Sequence, residues 1–66
     1  MHDYAFISRA ADKVVQAFPE STNFPEDHII PYIERYVNAY YQSMAVTLPS
    51  DTVLEIALTI YRRPNR

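Results

Sequence analysis

Apolar residues recur along most of this chain at helical spacing. Placed at about 100° per residue, Ile33, Val37, Tyr40 and Met44 fall within a narrow arc of YIERYVNAYYQSMAVTL (32–48), and Arg35, Asn38 and Gln42 point the other way. The pattern predicts a central amphipathic helix on which two neighbouring segments depend for cover. Upstream, Ile7, Ala10, Ala11, Val14 and Phe18 follow an i, i+3, i+4, i+7, i+11 spacing, opposite Ser8, Arg9, Asp12, Lys13 and Gln16. Asp3 is placed to cap this first helix, and Pro19 stops it.

Residues 19–27, PESTNFPED, have the composition of a loop, within which Phe24 is expected to plug the end of the core. Pro31 belongs in a first helical turn. Two starts for the central helix satisfy that: Asp27 as N-cap, or a short turn over 25–30 followed by a fresh start at Pro31. Either way the helix is expected to run on until Pro49. Ser50 is then an N-cap for DTVLEIALTIYRR. In that segment Leu54, Ile56, Leu58 and Ile60 alternate as in a strand, while Asp51, Glu55, Thr59 and Arg62 form a helical polar stripe. No other segment offers a strand partner, so helix is the expectation, with an intermolecular strand as the alternative. The predicted architecture is all-α: a small three-helix bundle with helices at about 3–18, 28–47 and 50–62, in one domain, 1–66, whose residues 64–66 form a short basic tail.

The apolar arc of the third helix, from Ile56 and Ile60 through Val53, Ala57 and Leu54 to Leu58, covers about 200°, wider than the roughly 100° a surface helix needs. The expected division sends Leu54, Leu58 and Tyr61 into the protomer and leaves Val53, Ile56 and Ile60 as a dimer interface. The alternative is that the first two helices clamp both sides of the arc. Size favours self-association. A domain of 66 residues buries only about 60% of its unfolded surface, and with no cysteine it has no disulfide to stabilise it. An apolar content of 48% is more than so small an interior can hide.

The absence of glycine disfavours turns that need positive φ, and removes phosphate-binding loops and dinucleotide turns from consideration. No cofactor is expected. No stretch approaches the 18 or so apolar residues of a membrane span, and the N-terminus MHDYAFISRAADK, with an acid and no basic run, is unlike a secretory leader. A cytoplasmic location is the expectation.

Glu26, Asp27 and His28 are the one cluster of catalytic or metal-binding residue types, but consecutive positions at a helix start diverge by about 100° each, so no metal site is expected. Ser8, Ser21, Ser43 and Ser50 have ordinary places on a helix face, in a loop, on a helix flank and at an N-cap. A chain this short has little room for a pocket of roughly 300 Å³, and no catalytic residue is assigned. Tyrosine carries more information. Tyr32 and Tyr36 fall along one edge of the central helix, continued by Ala39 and Ser43, and Tyr41 falls on the other. Such positions suit contact with a protein, since the ring buries area while the hydroxyl keeps a polar partner; they suit equally the rim of the chain's own core.

Net charge is −2, yet Arg62, Arg63 and Arg66 supply half of the six bases. The expected function is a non-enzymatic protein-interaction module, such as an adaptor, accessory subunit, inhibitor or antitoxin-like regulator, that works as a homodimer and binds another protein through Tyr32, Tyr36 and Tyr41. The alternative is a small dimeric nucleic-acid-binding regulator that places Arg62, Arg63 and Arg66 on phosphates, supported by Arg9, Lys13 or Arg35. Six bases against eight acids is a poor supply for that role, and no segment reads as a basic recognition helix.

Overall fold

Helices of nearly equal length make up most of the described residues, 4–63, of the computed structural model: α1 at Tyr4–Ala17, α2 at Ile29–Gln42 and α3 at Ser50–Arg62. At 1.5 Å per residue each is about 20 Å long, in keeping with principal extents of 28 × 22 × 20 Å. A 3-10 turn at Pro19–Thr22 follows α1, and no strand occurs among the described residues, so the segment after Pro49 is helical. Asp3, expected to cap α1, lies outside those residues.

The centre of the bundle is α3. It packs against both other helices, which touch each other far less. Its buried residues, Thr52, Val53, Ile56, Ala57 and Ile60, occupy an arc of about 140° at 100° per residue, more than one neighbour can cover. From α1 come Ile7, Ala10, Ala11 and Val14, and from α2 Ile33 and Val37, all buried in the same core. This reverses the expected division of α3. Val53, Ile56 and Ile60, assigned to a dimer interface, are buried within the single chain, whereas Leu54 and Tyr61, assigned to the interior, are 40% and 45% exposed and Leu58 is half-buried. Spacing gives the width of an apolar arc but not which part of it meets a neighbour, and here the other two helices between them cover the part assigned to a second copy.

Fewer residues of α2 are fully buried. Ile33 and Val37 are; Tyr40 packs against the core only in part, together with Ile29, Ile30, Tyr32, Tyr36 and Tyr41. Met44, expected inside, lies beyond the helix and is 49% exposed. The helix ends at Gln42, not at 47. The Val46 amide donates to the Tyr41 carbonyl (2.9 Å) and the Ala45 amide to Gln42 (2.9 Å), with Ala45 left-handed at φ 59°. These are the bonds of a Schellman C-cap, with alanine at the position that usually holds glycine. Continued to 47, α2 would overshoot its neighbours by about 7 Å at 1.5 Å per residue. The chain turns instead, and α3 runs back along α2. Ser50 and Val53 at the start of α3 share a shallow depression with Glu34 and Asn38, and Tyr61 at its end packs against Phe24, just before α2.

The start of α2 matches neither expected boundary. The His28 carbonyl accepts the first helical bond, from the Tyr32 amide (3.0 Å), so His28 is the cap residue and Pro31 the third helical residue, where its missing N–H costs no helical bond. His28 is also left-handed, at φ 57°, ψ 39°. Positive φ, disfavoured in a chain without glycine, therefore occurs at both ends of α2. In α3 the first bond runs to the Pro49 carbonyl, which shifts the cap one residue before Ser50.

Candidate interaction surface

The tyrosine edge of α2 is braced from two sides. Rotation along the helix turns Tyr32 and Tyr36 toward the end of α1 and the 3-10 turn, where Pro19 bends the chain back across them. The Tyr32 hydroxyl donates to the Glu20 carbonyl at 2.9 Å, and the Tyr36 ring meets Phe18 at 5.4 Å between centroids and Tyr32, edge-on, at 5.2 Å. Hydrogen bonding with the Tyr32 side chain, then desolvation and the nearby Tyr32 and Glu20, hold the Tyr36 hydroxyl above its usual pKa. Both rings are half-buried and pack against the core. They are rim residues, fixed in place by the fold.

Beside them is a feature the apolar pattern does not show. Pro25, His28, Pro31, Tyr32 and Arg35 line an open depression of about 410 Å³. Its floor and walls are stiff, because two prolines have fixed φ and Tyr32 is anchored through its hydroxyl. The left-handed backbone at His28 sets the angle at which the loop enters α2, and Pro25 and Pro31 line the same depression. In the sequence these prolines register only as helix punctuation, and the size exceeds what a chain of 66 residues was expected to enclose.

The remaining candidates lie elsewhere. Tyr41, on the far edge, meets Tyr40 edge-on at 5.0 Å, and burial, then Tyr40, raises its pKa. Arg63 is committed within the chain: its guanidinium pairs with Asp12 and donates to the Ser8 carbonyl (3.1 Å) and Ser8 Oγ (3.2 Å). Arg62 is exposed, and Arg66 lies outside the described residues together with the rest of the 64–66 tail. Arg62 and Arg63 are thus not displayed alike. Glu26, Asp27 and His28 are all exposed, and among the described residues no three of His, Cys, Asp or Glu gather as metal ligands. Ser21 is buried with no hydrogen-bond partner for its Oγ, Ser43 Oγ donates to the Tyr40 carbonyl at 2.6 Å, and Ser50 is exposed at the start of α3. No described helix is long and apolar enough to cross a membrane.

Comparison with protein-family models, with curated proteins and with solved structures found no match to this chain.

Proposed function

We propose that this chain is a non-enzymatic, homodimeric interaction module of the adaptor, accessory-subunit, inhibitor or antitoxin-like kind, acting by binding another protein. The observation that carries the reading is the braced corner of Pro25, His28, Pro31, Tyr32 and Arg35. It combines an open concavity, an aromatic ring held by its own hydroxyl and an exposed guanidinium. Anchors of this kind bind well because little side-chain entropy remains to be lost on association, and tyrosine and arginine are the residue types that dominate such contacts. Tyr36 serves as the brace behind Tyr32, and Tyr41 belongs to a separate edge.

Affinity purification from the native host tests this, with wild type compared against Arg35→Glu and Pro31→Ala, both at exposed positions. A protein recovered stoichiometrically with wild type and lost with both variants, while their circular dichroism stays helical, supports the reading. Equal recovery with all three, or no stoichiometric protein with any, sinks it.

A further inference from the structure

With Val53, Ile56 and Ile60 taken up by the core, α3 still shows one unfilled apolar line. Leu54, Leu58 and Tyr61 follow i, i+4, i+7 and fall within about 60° of one another. Leu54 and Tyr61 are 40% and 45% exposed, and Tyr61 is steadied by Phe24 at 5.5 Å between centroids. Along one edge of this line run Asp51, Glu55 and Arg62, all exposed and within about 40° of one another. Among the described residues none of the three makes an ion pair within the chain; the pair at this end of the bundle joins Arg63 to Asp12.

We infer that a second copy of this chain packs its α3 antiparallel against this line, in a two-fold dimer centred near Leu58. The charge order selects that occupant and that direction. When two helices pack antiparallel about a two-fold axis, each flank meets the same flank of the other copy, end reversed. Arg62 of each protomer then faces Asp51 and Glu55 of the other, and Leu54 faces Tyr61. Parallel packing would set this flank against the Val53 and Ala57 side, which the core has already buried. Antiparallel helix dipoles also oppose one another favourably. The inference rests on the self-associating part of the proposed function and replaces the residues first expected at the interface.

Sedimentation equilibrium over a range of concentrations tests it on the full chain. Leu54→Glu is expected to weaken dimerisation by about tenfold or more, with helicity unchanged because the position is exposed. Glu55→Arg and Arg62→Glu each weaken it by about tenfold at low salt, as each reversal acts twice in a symmetric dimer. Mixed in equal amounts, these two variants associate more tightly than either alone, since every reversed charge then faces an opposite one across the interface. A dimer indifferent to all three changes overturns this interface and leaves self-association standing. A wild-type chain that sediments as a monomer throughout overturns both. A mixture no tighter than its components overturns the antiparallel direction.

Discussion

Four of the six tyrosines lie on α2 and only one on α3, yet α3 holds five buried residues and α2 two. The helix rich in large side chains is not the one the others are built around. A tyrosine must keep its hydroxyl near water or a polar partner, so it settles at a rim. Tyr32 reaches the Glu20 carbonyl and Tyr36 sits between Phe18 and Tyr32. Isoleucine and valine carry no such constraint, and on α3 they fill the space between two neighbours. Aromatic density therefore marks the margin of this small core, and β-branched aliphatic density marks its middle.

The largest expected effect tests that contrast directly. Ile56→Ala or Ile60→Ala removes a fully buried side chain from α3 and is expected to cost about 2–5 kcal/mol. In a domain of this size that is much of a total stability of about 3–10 kcal/mol. On α2, Tyr32→Phe loses the exposed bond to the Glu20 carbonyl and the one shared with the Tyr36 hydroxyl, and is expected to cost about 1–2 kcal/mol. Urea denaturation followed by circular dichroism ranks them; equal costs would break the comparison.

The ends of the two helices differ as well. Both ends of α2 rest on left-handed residues other than glycine, His28 and Ala45, whereas the end of α3 is tied to α1 by Arg63. Ala45→Gly relieves about 1–2 kcal/mol of left-handed strain, offset by about 0.4–1 kcal/mol of extra unfolded-state entropy, so a net gain of up to about 1.6 kcal/mol should appear as a raised urea midpoint. Arg63→Ala is expected to lose about 0.5–1.5 kcal/mol, because it removes the two bonds to Ser8 together with an ion pair that is partly exposed and screened by salt. Its effect should shrink as salt is added.

The smallest effect is one of pH, and it belongs to α2. Tyr36 and Tyr41 both titrate above the ordinary 10.0 in the folded chain, so the folded state retains their protons longer than the unfolded state does. Stability from this source is fully present below pH 10 and is lost as pH rises through the raised values. Urea midpoints should be flat from neutral pH to about 9 and fall above 10, and Tyr36→Phe with Tyr41→Phe should flatten that fall. An equal alkaline slope in wild type and the double variant would remove these tyrosines as its cause.

Helical spacing was enough to reveal α1 and α2, the buried face of α1 through Ile7, Ala10, Ala11 and Val14, and the core positions Ile33 and Val37; reading the third segment as a helix also needed the lack of any strand partner, and Phe24 was placed on the core as a lone aromatic in a polar loop. Each of these follows from local periodicity and from the cost of leaving an apolar side chain in water. Only the tertiary structure decided which part of α3 is covered, where α2 stops, and that Pro25 and Pro31 frame a depression with Tyr32 and Arg35. An apolar arc looks the same whichever part of it a neighbour covers, and no local signal ends α2 at Gln42. That end is set by the need to turn back along a helix of equal length, through a left-handed alanine whose strain the packing on either side outweighs.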